Sequence, residues 1–292
     1  MRRNAREGGW ALISVLWGLV IISLVADMML SSARVSYRQA AYDVEEAQRQ
    51  AAADAATVRA VLGLLDARPD HRWRIDGVPQ TWAFDGQEMR VAVEDEGGKI
   101  DLNASGDAAI RQLLTVAAGA GDTADKILDW RDQKGDAHRL HGATAADYGA
   151  AGMDYFPRGG MFQSVDELKL VLGIDPAVFE RIRPAVTVFS GRSKVNLATA
   201  PEAVLEAVGG QNAATAAQTI AARQLGAATD QSQGQAIVGG VVASGIPIDG
   251  WAFSVAIVSP DGRHLSDRVI RLTPKSSVPF LIQDLGIDAR TW

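Results

Sequence analysis

The sequence predicts an α+β fold in which a long N-terminal helix packs on an antiparallel sheet and a large α-helical domain is inserted between the strands. Three observations lead to this prediction. The first is an uncharged N-terminal run that continues into helix-forming residues. The second is strand-like alternation both before and after the middle of the chain. The third is a helical stretch, punctuated by prolines, between those two β regions.

The N-terminal helix begins with a run long enough to cross a membrane. Residues 8–26 are 19 positions without a charge, and as a helix they would span roughly 28 Å, close to the thickness of a bilayer's hydrocarbon core. Arg2, Arg3 and Arg6 precede the run, so the positive-inside rule places the N-terminus in the cytoplasm. The alternative is a cleaved signal peptide, which normally has a shorter apolar core and a small-residue cleavage site.

The same helix is expected to continue beyond the membrane. No proline occurs before Pro69, and residues 31–65 are rich in the helix formers Ala, Gln, Glu and Arg. These residues predict one helix of about 55 residues, which ends at the segment ARPDH, residues 67–71.

Strand-like segments flank the middle of the chain. Residues 80–103 contain turn signals at Asp85-Gly86 and Gly97-Gly98, with apolar and polar residues alternating between them. Residues 251–274 predict two further strands around the turn Pro260-Asp261-Gly262. The simplest packing is one sheet with the helical block inserted between its strands.

The helical block runs from residue 105 to about residue 225. Ser164 and Glu167 have the spacing of a capping box before an apolar run and therefore predict a helix start. Residues 226–250 are Gly-rich and almost uncharged, and predict a flexible connection with a short strand over residues 236–243.

Composition limits the possible classes of function. The chain of 292 residues has 29 basic and 35 acidic side chains and a net charge of −6, which gives no global attraction for nucleic acid. The absence of cysteine excludes thiol catalysis, disulfides and cysteine-based zinc sites. Because no nucleophile elbow, phosphate-binding loop or zinc-protease motif occurs, the sequence predicts no enzyme.

The helical block contains an internal repeat. The segment KIDLNAS (Lys99–Ser105) matches KVNLATA (Lys194–Ala200), and an apolar helix, a glycine turn and a second helix ending in Arg131 or Arg223 follow each. Both look like helix-hairpin-helix units, so a membrane-anchored binding module of the DNA-uptake kind is the alternative function. Over residues 201–225 the only basic side chain is that of Arg223, which favours a packing role over phosphate binding.

One polar stretch has the composition of a cation site. Asp129, Asp132 and Asp136 lie within eight residues, Gly135 allows a tight bend, and Asp147 follows. Calcium prefers six to eight oxygen ligands, which such carboxylates supply. The spacing is not that of an EF-hand, and the alternative interpretation is a solvated loop.

The order of a basic leader, Gly9, a long apolar helix and later strands resembles type IV pilins and pseudopilins. The large insertion narrows the resemblance to the minor pseudopilin K family of type II secretion systems. Three segments are similar to that family's signature: ILDWRD, ADYGAAGMDYFPRGGMFQSVDELKLVLGI and RIRPAVTVFSGRSKVNLATAPEAVLEAV. The resemblance therefore implies a pilin-like fold.

The resemblance implies how the N-terminus is processed. Prepilin peptidase would cut after Gly9, removing the leader peptide, residues 1–9, and leaving an N-methylated Trp10. Most pilins have a glutamate at the fifth mature position, which pairs with the N-terminal amine of a neighbouring subunit. Members of the K family usually lack it, and Ser14 stands at this position.

The resemblance also implies domains, partners and location. Residues 10–30 would be the transmembrane helix, 31–68 its periplasmic part, 69–104 with 245–292 the pseudopilin β region, and 105–244 the insertion.

The bulk of the insertion would prevent another subunit from stacking above it. These features imply a pseudopilus-tip subunit that nucleates assembly with the I- and J-type minor pseudopilins and supports export across the outer membrane. Other implied partners are further pseudopilins, prepilin peptidase and the inner-membrane assembly platform. The chain would be a single-pass inner-membrane protein with a cytoplasmic N-terminus and most of its residues in the periplasm.

No cofactor is required by this resemblance, but family members can bind calcium near the D-W-x-D segment. The sequence keeps Asp129, Asp132 and Asp136. Where relatives commonly have G-A-E-D, it has the segment GATA, residues 142–145. The resemblance therefore implies a calcium site that has lost two carboxylates.

Overall fold

The elements are numbered in chain order from a computed structural model. The structure describes residues 8–66, 68, 71–132, 139–226, 251–273 and 280–284. The chain divides into two compact units, residues 1–52 and residues 53–292, and the first helix belongs to both. The predicted strand over residues 236–243 lies outside the described residues.

Helix α1 spans Gly8–Leu64 as 57 unbroken residues, as the sequence predicts. In its last turns one face of the helix consists of small and branched side chains that are buried: Ala53, Ala56, Thr57, Ala60, Val61 and Leu64. Alanines on this face allow close packing on the sheet. Arg268 of the sheet donates to Thr57 Oγ1 at 3.1 Å and pairs with Asp54 at 2.6 Å, which fixes this end of the helix to a strand.

The sheet contains five antiparallel strands in the order β1-β2-β5-β6-β7. Their bounds are β1 Gln80–Phe84, β2 Gln87–Asp95, β5 Ala252–Val258, β6 His264–Leu272 and β7 Phe280–Asp284. Asp85 and Gly86 have φ of 49° and 76°, as a tight hairpin turn between β1 and β2 requires. Because β2 pairs directly with β5, the whole helical block is inserted between neighbouring strands of one sheet, which confirms the predicted fold class.

The insertion consists of short helices around its own core. Its elements are β3 Ile100–Asp101, α2 Asp107–Ala118, α3 Thr123–Arg131, α4 Ala145–Ala150, α5 Pro176–Ile182, β4 Val186–Thr187, α6 Glu202–Ala207 and α7 Ala213–Gly226. Strands β3 and β4 form a two-residue parallel pair. Ile100 and Leu102, which the sequence assigned to the β region, pack in the core of the insertion. The helical core therefore begins a few residues before position 105.

The predicted capping box at Ser164 is wrong. Ser164 precedes a 3₁₀ segment, Val165–Leu170, and makes no side-chain cap. The Glu167 carboxylate accepts instead from the Gln163 backbone N–H at 3.0 Å and pairs with Arg158 at 2.8 Å. Because the Gln163 N–H and the Arg158 guanidinium hold this carboxylate, it does not accept from the Ser164 backbone N–H as a capping box requires.

Candidate functional site

The first part of α1 is an apolar rod. Every large hydrophobic side chain described from Trp10 to Leu30 is exposed, and Asp27 is the only ionisable residue in this range. Among the described residues, this is the one helix long and apolar enough to cross a membrane. Trp10 and Gly9 lie in its first turns, while residues 1–7 are outside the described range.

Ser14 sits on this rod without adding a charge to it. Its hydroxyl donates to the backbone carbonyl of Trp10, one turn earlier, at 2.8 Å. A serine can satisfy its polar atom inside its own helix in this way. A glutamate at the same position would carry a charge into the apolar surface and would need a partner from outside the helix.

The predicted metal ligands are only partly within the described structure. Asp129 and Asp132 lie at the C-terminal end of α3, and Asp136 lies outside the described residues. The guanidinium of Arg139 lies between the first two, 2.9 Å from Asp129 Oδ1 and 2.6 Å from Asp132 Oδ2. It also contacts Asp107 Oδ2, at the start of α2, at 3.1 Å.

The electrostatics follow from this arrangement. Burial opposes ionisation of Asp132, but hydrogen bonds from Arg131 and Arg139 outweigh it and lower the pKa of Asp132 to about 2. The same pairing raises the pKa of the Arg139 guanidinium further above its ordinary value. Both groups are therefore fully charged at neutral pH, and each is neutralised by the other.

The chain after Arg139 packs closely against Asp129. A Cβ at Gly142 would lie 1.8 Å from Asp129 Oδ2, so a side chain at this position would displace the Asp129 carboxylate. His141 donates its backbone N–H to Asp125 at 3.1 Å, one helical turn before Asp129 on α3. The carboxylates of α3 thus hold the segment that follows.

The Asp147 side chain takes part in a helix cap in the same region. Its carboxylate accepts from the Thr144 backbone N–H at 2.7 Å, and Thr144 Oγ1 accepts from the Asp147 backbone N–H at 3.2 Å. This is a complete capping box at the start of α4. In the described part of the chain, no group of three histidine, aspartate or glutamate side chains is arranged to hold a metal ion.

The internal repeat has a matching geometry in its hairpins. Gly119, with φ of 64°, follows the last residue of α2, and the turn after α6 contains Gly210, with φ of 66°. In each hairpin the residue after this glycine donates to a carbonyl six positions earlier, from Ala120 to Leu114 at 3.1 Å and from Gln211 to Leu205 at 3.2 Å. Both are helix ends closed by a left-handed glycine.

The arginine at the end of the first unit holds the loop that begins that unit. Arg131 ends α3, and its Nη1 donates to the backbone carbonyls of Leu102 at 3.2 Å and Ser105 at 3.0 Å. The planar guanidinium suits this double contact because its donors point in fixed directions.

Arg223 does the same in the second unit. It donates to the carbonyls of Ala200, at 2.7 Å, and Leu197, which occupy the positions of Ser105 and Leu102 in the repeat. The one basic side chain over residues 201–225 is therefore used to hold its own unit together. A hairpin that binds phosphate needs a basic side chain directed at the ligand, so this geometry does not favour a DNA-binding module.

We expect Arg223→Lys to destabilise the insertion by about 1–2 kcal/mol, because one of two partly buried carbonyls loses its donor. Urea unfolding followed by tryptophan fluorescence measures this change. Arg181→Lys, at an exposed position of α5, is the matched control and should shift the free energy of unfolding by less than about 0.5 kcal/mol. Equal effects of the two substitutions would contradict the assigned role of Arg223.

A buried polar junction connects the sheet to the insertion. Asp95, the last residue of β2, accepts from Asn196 Nδ2 at 2.9 Å and from Thr199 Oγ1 at 2.8 Å. Burial raises the pKa of Asp95, although these hydrogen bonds oppose the rise. Nearby, the buried Lys99 ammonium lies 2.8 Å from a carboxylate oxygen of both Glu94 and Glu96. Asp95 of β2 thus connects the sheet by hydrogen bonds to the second repeat unit, residues 194–200 onward.

Comparisons with known proteins agree with one another. The model of the family described as type II secretion system (T2SS), protein K, matches residues 92–191. The chain is 26% identical over 233 residues to the type II secretion system protein K of Pseudomonas aeruginosa PAO1, covering 71% of this chain and 69% of that relative. Its fold is similar, with a TM-score of 0.57 and 15% identity, to a chain in the crystal structure of the GspK-GspI-GspJ complex from the type 2 secretion system of enterotoxigenic Escherichia coli. That similarity covers 84% of this chain and 97% of the other, and it shows the fold.

Proposed function

We propose that this chain is a member of the type II secretion system protein K family and works as a minor pseudopilin of such a system, as the family-model match and the Pseudomonas aeruginosa relative support. The observation that carries the proposal is where the family match falls. Residues 92–191 begin in β2 and cover the inserted elements from β3 through β4. This insertion is the feature that separates the chain from a plain helix-and-sheet pilin.

The chain acts at the tip of the pseudopilus. The similar structure is described as a complex of the K, I and J proteins, which supports I- and J-type minor pseudopilins as the partners of this chain. An inserted body with its own hydrophobic core adds bulk between β2 and β5. Such bulk suits a subunit above which no other subunit stacks, and therefore one that nucleates assembly and so supports export across the outer membrane.

The N-terminal rod anchors the chain in the inner membrane before assembly. Its apolar side chains match the hydrocarbon core, and Arg2, Arg3 and Arg6 keep the N-terminus in the cytoplasm. Prepilin peptidase cuts after Gly9, and the new N-terminus at Trp10 is methylated. The chain then works by assembly with other pseudopilins and the inner-membrane platform, and no catalytic step is assigned to it.

Two measurements on the full-length chain test this function. A deletion strain should lose secretion of its exported proteins and regain it with the tagged full-length chain. The tagged chain, extracted from membranes with mild detergent, should bring down the I- and J-type pseudopilins. Normal secretion in the deletion strain would contradict the proposal. A gel shift with duplex DNA at low salt and micromolar protein would instead support the binding-module alternative.

We expect Ser14→Glu to leave secretion at or below the wild-type level. A first subunit has no predecessor whose amine a glutamate would meet, and an unpaired carboxylate in the membrane costs about 2.5–3.5 kcal/mol. Secreted protein in the culture medium is the measurement, and Ser14→Ala is the control that removes the hydroxyl without adding charge. A clear gain in secretion with Ser14→Glu would contradict the tip position.

A further inference from the structure

We propose that the guanidinium of Arg139 takes the place of a divalent cation among the carboxylates of Asp107, Asp129 and Asp132, so that this part of the insertion is held together without metal. The three carboxylates come from two different helices, the start of α2 and the end of α3. All three lie within 3.1 Å of the same guanidinium. Cross-linking carboxylates from separate elements is what a structural calcium ion does.

Most of the contact is shielded from water. The side chain of Arg139 is 13% exposed, that of Asp129 is 4% exposed and that of Asp132 is 20% exposed, whereas Asp107, at the edge of the cluster, is 52% exposed. Charge pairs of this kind are screened much less than surface pairs. Removing one partner leaves the others as uncompensated buried charge, which is strongly destabilising.

A second guanidinium adds to the neutralisation. Arg131 pairs with Asp132 Oδ1 at 2.8 Å and with Asp107 Oδ1 at 3.2 Å, on the other oxygen of each carboxylate. Two positive charges therefore already lie among three negative ones. A calcium ion needs six to eight oxygens at 2.3–2.6 Å, and it would have to displace the arginines to reach these.

Arg139 also orders the chain in the way expected of a bound ion. Its backbone N–H donates to Asp129 Oδ2 at 3.3 Å, and Gly142 packs against the same oxygen. The backbone N–H of His141 is held by Asp125, which Arg111 also contacts at 2.5 Å. The segment 139–142 and the acidic face of α3 therefore form one cross-linked unit.

Thermal unfolding of the full-length chain in mild detergent tests the proposal. The melting temperature of the wild type should be the same in millimolar calcium chloride and in EDTA. Arg139→Gln should lower it by about 5 °C. Arg158→Gln removes a more exposed arginine, paired with Glu167 in the same insertion, and should lower it by less than about 2 °C.

Two outcomes would overturn the proposal. One is a wild-type melting temperature that rises with calcium and falls with EDTA. The other is an Arg139→Gln protein as stable as Arg158→Gln. Should Arg139→Gln fail to fold, calorimetric titration of the wild-type protein with calcium chloride decides: micromolar binding overturns the proposal, and the absence of binding heat supports it.

Discussion

Replacing Asp101 by alanine is expected to destabilise the insertion by about 3–5 kcal/mol. Asp101 is 1% exposed, and its carboxylate accepts four hydrogen bonds. One oxygen accepts from the backbone N–H groups of Asn103 at 2.8 Å and Ala104 at 3.0 Å. The other accepts from Ser190 Oγ at 3.0 Å and from the Gly191 backbone N–H at 2.7 Å. Alanine would leave these donors without their acceptor.

The expected effect is large because the carboxylate joins two distant segments. One segment opens the first repeat, and the other follows β4, about ninety residues later along the chain. Each buried donor left unsatisfied costs about 1–3 kcal/mol, and the contributions are not fully additive. Asp101→Asn should cost about 1–3 kcal/mol, because its amide keeps one acceptor oxygen but turns a donor toward another donor.

Urea unfolding monitored by tryptophan fluorescence measures both variants, since Trp130 lies in the core of the insertion and is 3% exposed. The matched control is Asp122→Ala, whose side chain is 79% exposed. It should change the free energy of unfolding by less than about 0.5 kcal/mol. An Asp101→Ala protein as stable as this control would contradict the assigned role of Asp101.

The fold was predictable because its sequence patterns are long, as in the N-terminal helix, or occur on both sides of the helical block, as in the strands. The uncharged run and the proline-free stretch after it predict α1, and the Asp85-Gly86 turn lies where the first hairpin turns. The pairing of β2 with β5 follows once alternating strands flank a helical block. The sequence assigned β3 and β7 to the β region without resolving them as strands, and it did not predict β4, because strands of two to five residues carry little periodicity.

The contacts inside the insertion were harder to predict because they depend on packing. The repeat KIDLNAS and KVNLATA is visible in the sequence, but the carbonyls held by Arg131 and Arg223 lie 23 to 29 residues earlier in the chain. An arginine in a last helical turn ordinarily indicates only a favourable interaction with the helix dipole.

The acidic stretch shows the same limit in another form. Residue type and spacing drew attention to Asp129 and Asp132, but not to the arginine that approaches them. A cluster of carboxylates in a sequence is equally compatible with a cation from solution and with a guanidinium from the same chain. The placement of Arg139, ten residues after Asp129, is the observation on which the proposed guanidinium bridge rests. The capping box at Ser164 was wrong for a related reason, since Arg158 pairs with the expected capping carboxylate.

Replacing Gly9 by valine is expected to block maturation and reduce secretion to the level of a deletion strain. The proposed cut lies between Gly9 and Trp10, and a branched side chain there would hinder access to the backbone in the peptidase site. Mass spectrometry of the membrane-extracted protein should then find a chain that keeps its leader. The wild-type protein should begin at Trp10.

The loss of secretion has a physical reason beyond the missing cut. An uncut leader keeps Arg2, Arg3 and Arg6 at the cytoplasmic end of the apolar helix. Moving each charge into the apolar interior costs about 2.5–3.5 kcal/mol, so the helix cannot leave the membrane plane to become part of a filament core. Gly8→Ala is the matched control, because it keeps the Gly9-Trp10 junction and should mature normally. A wild-type chain that begins at Met1, or one cut after Ala26 as a signal peptide would be, would contradict this processing and the retained helix on which the proposed function depends.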